Sequence, residues 1–367
     1  MVSVHYAYDY MEHATLEAHK GEYFSSTPLG IAHYSNCYGL PYKNLSKCGR
    51  NIVGGGLRID EDHTIGTLYE PEWDSEEVVS SDVVYIGHFS SICWGHTITD
   101  SLARLWWVVD HLDTILSKCV DVYFISETPL DGNFKDIVRL LGIPVERLRR
   151  IDCVSRFRSV FVPDSCFNNH QVSLKYTREY VSLVEHLIQK KSNGTYSKKI
   201  FLIREDSNRQ LCSAEIRNIL ENQGFTSVYP EKLSVPSQIA IFNNADSIVC
   251  EESSLSHNFI FCRKGAKVAI LRKANIVNVY QALINQMKEL EVDYIDCHLS
   301  ICLEKAKRGP FFLYANNNLC RYFHEEPKSF PYEEFASYVN LSGVGDVWKK
   351  DINIDPNYRG ILMDIIK

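Results

Sequence analysis

The second half of the chain alternates short apolar runs with stretches of helical periodicity. KIFLI (199–203), FTSVY (225–229), DSIVC (246–250), KVAIL (267–271) and VDYI (292–295) read as strands. Between them, Ser213 caps a helix that ends at Gly224, Ser234 opens one through Asn243, and a third runs from about 276 to 289. Short buried strands alternating with helices of ~10–15 residues predict βαβ units and a parallel sheet. Right-handed crossovers then place ligand-facing loops at the C-terminal ends of the strands.

The first half is less regular. Residues 1 to about 80 lack a clear period, and the run Gly54-Gly55-Gly56, with no G-K-S/T after it, reads as a turn or bulge. Alternation resumes at VVYIG (83–87), a helical pattern spans about Thr97 to Leu112, and VDVYFI (120–125) and SVFVP (159–163) read as strands. A helix at 133–141 stops at Gly142, with Pro144 close behind. The helix at 176–191 runs into Lys-Lys-Ser-Asn-Gly, the clearest boundary signal. The pattern predicts two α/β domains with a cleft between them: residues 1–170, then 176–300. Residues 301–367, with a helix at 331–339, are expected to pack back on the first domain. Such clefts are preferred small-molecule sites.

Composition narrows the function classes. Lys+Arg is 39 and Asp+Glu is 46, so the net charge is 39 − 46 = −7 over 367 residues. That balance argues against nucleic-acid binding, which needs many cationic phosphate contacts. No apolar run approaches the ~18 residues needed to span a bilayer. The opening MVSVHYAYDYMEH carries acids and histidines where a signal peptide needs basic and then apolar residues, so a cytoplasmic location is expected. Twelve cysteines are scattered without a C-x-x-C pair and read as buried thiols. The only D-x-D-like run, Asp60-Glu61-Asp62, lies in the irregular part, and no metal site is expected.

Three segments could carry chemistry. In WGHTITDSLARLWW (94–107), His96 and Asp100 are four apart and Arg104 continues their line, with Gly95 just before, while Ile98, Leu102, Leu105, Trp106 and Val109 form an apolar face. A histidine and a carboxylate one helical turn apart can serve as a general base, or form an ordinary surface pair. In FLIREDSNRQLCSAEI, Arg204 ends a strand and Arg209 lies in the following loop. Two forked guanidiniums near a helix start suit a diphosphate, or can pair with Glu205, Asp206 or Glu215. In SIVCEESSLSHNFIFC, a buried strand ends at Glu251-Glu252. Ser253 and Ser254 open a short helix, and His257 and Asn258 follow; these groups can bind phosphate and sugar hydroxyls, or form a capping motif.

The order of these pieces resembles the family 61 glycosyltransferases, especially the bacterial branch associated with capsular and other surface polysaccharides. Gly95, His96 and Asp100 match a G-H-x-x-x-D motif, followed by Arg104, Leu105 and Trp106. The strand Ile200 to Arg204 and then Arg209 match the family's arginine element in looser spacing, with Glu215 beyond it. Val228, Pro230, Glu231, Gln238 and Ile239 match the next element, and Ser253, Ser254, His257, Asn258 and Phe261 the last. The resemblance spans about 85–272. It departs at Ser253, where many members have glycine.

The resemblance implies a GT-B fold, two Rossmann-like domains facing a cleft. It implies inverting transfer from a nucleotide sugar, with UDP the expected nucleotide, to a glycan or lipid-linked glycan acceptor. The second domain would bind the donor through Arg204, Arg209, Glu252, Ser253, Ser254, His257 and Asn258. The first would hold the acceptor side through Gly95 and Arg104. Asp100 is the first choice as base, with His96 orienting it or taking its place, and Glu252 as a further candidate. The two arginines would replace a divalent metal, and a lipid-linked acceptor would bring the protein to the inner membrane surface. A non-catalytic nucleotide-sugar-binding or scaffold subunit is the alternative. An NAD or S-adenosylmethionine enzyme is disfavoured, because no G-x-G-x-x-G follows a strand.

Overall fold

A computed structural model describes residues 1–5, 9–47, 50–60, 64–67, 69–71, 76–168, 174–204, 210–274, 277–300 and 311–340. It is a mixed α/β protein whose contacts divide it into two compact units, Glu22–Lys191 and Met1–Gly21 with Ser192–Lys367. Among the described residues no helix is long and apolar enough to cross a membrane. None of the ten described cysteines forms a disulfide, and seven of them are buried.

The unit Glu22–Lys191 is built on a seven-stranded sheet in the order Thr64–Thr67, Arg50–Arg58, Ile31–Lys47, Val154–Pro163, Glu76–His88, Asp121–Ile125, Leu148–Arg150. The first four strands pair antiparallel and the last four parallel, with Val154–Pro163 shared by both halves. A purely Rossmann-like first domain is therefore not what forms: half of its sheet is an antiparallel meander. The sequence hides that half because most side chains of Ile31–Lys47 are only half-buried or exposed, so the apolar alternation that marks a strand is weak.

The triple glycine lies inside the strand Arg50–Arg58. The register shifts opposite it, between Leu40 and Lys43, which is the bulge form of the expected irregularity. Gly56 has φ 137°, and a Cβ there would sit 2.0 Å from the Ile65 carbonyl oxygen. Gly56→Ala is expected to cost at least about 2 kcal/mol, from backbone strain plus the displaced strand. A drop in the urea midpoint measures it, and an unchanged midpoint contradicts it.

The predicted helix over about 97–112 is broken into Trp94–Ile98, a 3-10 turn Asp100–Leu102, Leu105–Asp110 and Leu112–Ser117. The break is at Thr99 (φ −108°, ψ −96°), whose hydroxyl lies 2.7 Å from both the Gly95 carbonyl and an Asp100 carboxylate oxygen. A hydroxyl that bonds locally competes with the helical ladder. Of the expected apolar face, Ile98, Leu102 and Leu105 are fully buried; Trp106 and Val109 are only half-buried, and Val108 takes the interior position instead.

The second unit holds a six-stranded, wholly parallel sheet. Its order is Thr226–Val228, Lys199–Leu202, Ser247–Glu251, Lys267–Arg272, Glu291–Asp296, Val2–His5. All five strands expected from residue 199 onward are present, with helices Ala214–Asn222, Val235–Asn244 and Val279–Met287 between them. Branched and aromatic side chains explain why: Phe201, Ile248, Val249, Ile270 and Ile295 are essentially fully buried, as sheet residues covered on both faces must be.

Three boundaries differ from the sequence expectation. Residues 1–21 belong to this unit, because Val2–His5 pairs with Glu291–Asp296 in the register Val2 to Val292. The described part of the C-terminal segment, 311–340, also packs here rather than on the other unit. Phe311–Leu313 pairs with Gln210–Cys212, and Leu319 and Phe323 join the core around Phe201, Ile219 and Phe225. The helix Arg178–Gln189 falls in the first unit, so the chain passes between units at 191/192.

Candidate active site

In the second unit, the chain leaves Lys199–Leu202, adds Thr226–Val228 on one side, then crosses to add Ser247–Glu251 on the other. The winding reverses between Lys199–Leu202 and Ser247–Glu251. Ligands of open α/β sheets bind outside the C-terminal ends of strands at such a reversal. Leu202 is in register with Cys250, so the residues just beyond them meet: the exposed Arg204 guanidinium donates to the Ser254 hydroxyl. Ser253 accepts from the Leu255 N–H at 3.1 Å, and its carbonyl accepts from the Ser256 hydroxyl at 2.7 Å, which shapes the turn. Asn258 is fully buried and donates to the Leu255 carbonyl at 3.1 Å. The expected helix start at Ser253–Ser254 is instead this turn, followed by a 3-10 helix, Ser256–Phe261. An anion here would meet a guanidinium and hydroxyls rather than a helix dipole.

Two of the expected donor residues face elsewhere. Glu252 is buried and turned toward the fully buried Arg272, 3.7 Å away. Burial raises its carboxyl pKa, against the pull of Arg272 and Lys273. His257 lies with its Nε2 3.3 Å from the Asn278 side chain, which caps the helix Val279–Met287. Arg209 lies outside the described residues, as do Glu61 and Asp62 of the acidic run.

In the first unit, His96 and Asp100 do meet, although no continuous helix carries them. His96 Nδ1 lies 3.1 and 3.2 Å from the two carboxylate oxygens. The His96 side chain is 53% exposed and Asp100 26%. Burial pushes the Asp100 carboxyl up, but hydrogen bonds from His96 and Thr99 outweigh it and hold the pKa below the ordinary value. The hydrogen bond to Asp100 raises the His96 pKa, burial opposes it, and the charges of Asp100 and Glu127 add to the rise. Gly95 is buried and accepts the Thr99 hydroxyl. Arg104 leaves the line: it precedes the helix Leu105–Asp110, and its Nη1 would lie 3.2 Å from a Cβ at Gly87, with Tyr85 and Asp164 as charged or polar neighbours.

Sequence reasoning missed Glu127. Glu76–His88 and Asp121–Ile125 run parallel with His88 beside Ile125, so Glu127 follows directly at the sheet's C-terminal edge. Its carboxylate accepts from His88 Nε2 at 3.1 Å, from the Ser91 N–H at 2.8 Å and the Ser91 hydroxyl at 3.1 Å. Tyr42 stacks on His88. The available signal was an acid two residues past a buried strand, where ligand-facing loops begin.

Burial alone would raise the Glu127 pKa; the bonds from His88 and Ser91 prevail and bring it from 4.5 to about 2. A depressed acid stabilises the fold fully above its unfolded value and loses that contribution as pH falls through the folded one. Glu127→Gln should therefore remove at most about 3 kcal/mol near neutral pH, and flatten the loss of stability between pH ~4.5 and ~2. Urea unfolding at several pH values reads this, and parallel pH curves for both proteins contradict it.

A wholly parallel sheet with an arginine bonded to a serine at its winding reversal makes this unit an α/β fold with a candidate anion site at the sheet's C-terminal edge. Residues 94–269, just under half of the chain, match a family model described as Glycosyltransferase 61. The matched span contains both His96–Asp100 and Arg204–Ser254, supports the resemblance to family 61, and implies glycosyltransferase activity. No curated protein matches the chain.

Proposed function

We propose that this protein is an inverting, metal-independent glycosyltransferase. It takes a sugar from a nucleoside diphosphate donor, with UDP the expected nucleotide, and passes it to a glycan or lipid-linked glycan acceptor in capsular or other surface polysaccharide synthesis. The observation that carries the reading is Arg204 bonded to Ser254 at the sheet's winding reversal, within the span that matches the family. In a GT-B arrangement the second unit holds the donor and the first the acceptor. The enzyme acts in the cytoplasm, meeting a lipid-linked acceptor at the inner membrane surface.

The His96–Asp100 geometry favours His96 as base, reversing the roles the sequence suggested. Asp100 is the less exposed of the two, is held ionised by two hydrogen bonds, and is a weak base. A carboxylate facing Nδ1 fixes the neutral ring with its proton on that nitrogen, leaving Nε2 to accept a proton. In a single displacement, Nε2 takes the acceptor hydroxyl proton as the new C–O bond forms at the anomeric carbon. The bond to the diphosphate oxygen breaks, and the charge that develops there is stabilised by Arg204 and Ser254.

A thermal-shift panel of nucleoside diphosphates and nucleotide sugars, with and without EDTA, followed by product analysis, tests the reading. Stabilisation scales with RT ln(1 + [L]/Kd). A nucleoside diphosphate shift unaffected by EDTA, with turnover, supports the proposal. Binding with no turnover on any acceptor leaves the scaffold alternative, and no shift removes the donor site.

A further inference from the structure

A set of hydrogen bonds centred on Ser90 runs from Glu127 to Thr97 and Ser101, the chain neighbours of His96 and Asp100. Glu127 Oε2 accepts from the backbone N–H and hydroxyl of Ser91, and the Ser90 hydroxyl lies 3.4 Å from Oε1. Thr128 N–H donates to the Ser91 hydroxyl oxygen at 2.9 Å, closing the turn onto the next strand's end. The Ser90 carbonyl accepts the Thr97 hydroxyl at 2.9 Å, and the Ser90 N–H donates to the Ser101 hydroxyl at 2.9 Å. Thr97 is the residue after His96, and Ser101 the residue after Asp100. Ser90, Ser91, Thr97 and Ser101 are all buried, so water competes poorly for these bonds.

We propose that Glu127 is a positioning residue for sugar transfer, fixing His96 and Asp100 through the Ser90–Ser91 turn. This rests on the reading of His96–Asp100 as the transfer dyad. The physical need is plain. The segment 94–117 is a string of short helices, broken at Thr99, and its own ladder cannot hold two side chains in register. An anchor from the neighbouring strand supplies what a continuous helix would have supplied. Asp100 and Glu127 act on His96, while His88, with Tyr42 stacked on it, faces Glu127 from the other side.

The test compares the wild-type protein with Glu127→Gln and with Thr97→Val, a near-isosteric change that keeps the Glu127 charge. Three readouts are taken: kcat and donor KM across pH, the folded fraction, and the His96 ring titration by NMR. Glu127→Gln is expected to lower kcat by about 10–100-fold per folded molecule, because a misplaced base loses its geometry, with donor KM within about twofold. Its His96 midpoint and the acid limb of kcat should both move to lower pH. Thr97→Val should lower kcat by roughly tenfold with the His96 midpoint in place, since one tether is cut and no charge removed. A kcat that falls only in proportion to the folded fraction, with His96 titrating as in the wild type, overturns the proposal. If the wild-type protein transfers no sugar, the glycosyltransferase reading fails. The His96 titration then decides by itself whether Glu127 acts on His96.

Discussion

His96→Ala should lower kcat by about 10²–10⁴-fold, the range a positioned general base contributes, while nucleoside diphosphate binding to the other unit stays unchanged. The asymmetry between His96 and Asp100 is what makes this specific. The exposed imidazole faces the carboxylate through Nδ1, and the carboxylate is already engaged by His96 and Thr99. Asp100→Asn leaves the imidazole in place but removes the charge that fixes its tautomer, so its loss should be real but smaller than that of His96→Ala. Were Asp100 the base, the ranking would invert.

The pH profile provides a second check. A base works when neutral, so the rate should rise with pH through the His96 pKa, which Asp100 and Glu127 hold above the ordinary 6.5. Asp100→Asn should move that limb to lower pH. Stability carries the opposite sign. The protonated pair stabilises the fold below the ordinary value, and its contribution is lost as pH rises through the raised folded-state value. A rate limb that does not move in Asp100→Asn would remove His96 from the role.

Arg204→Met should weaken nucleoside diphosphate binding by roughly 10–150-fold, equivalent to the ~1.5–3 kcal/mol of a hydrogen bond to a charged group. Arg204 is exposed and follows the strand rather than filling the core, so the thermal midpoint without ligand should hardly change. Ser254→Ala removes only a neutral hydroxyl and should weaken binding less. Titration calorimetry at two salt concentrations separates the effects, because the lost guanidinium should also reduce the salt dependence. Equal affinity in wild type and Arg204→Met would end the donor-site assignment.

Much of the second unit was legible because its strands are buried on both faces. KIFLI, DSIVC and KVAIL are apolar almost without interruption, and the helices between them start right after Ser213 and Ser234, although neither hydroxyl makes a capping bond. Arg204 and Ser253–Ser254 were visible for a related reason, each lying just past a recognisable strand where ligand-facing loops begin, whereas His96 and Asp100 were visible by their spacing of four in a helical pattern. Ile31–Lys47 was not legible, since its half-exposed side chains carry no clean period. Nor was Glu252's inward turn toward Arg272, because a carboxylate at a strand end looks the same whether it faces solvent or a buried guanidinium.

Local pattern, then, determined the run of parallel strands, the helices between them and the residue types able to do chemistry, because those follow from spacing along the chain. Pairing partners and side-chain directions were decided only in three dimensions. Val2–His5 joins Glu291–Asp296, and Phe311–Leu313 joins Gln210–Cys212, across separations no local period encodes. Glu127 reaches Ser91 across 36 residues, since two parallel strands lie side by side and their ends meet.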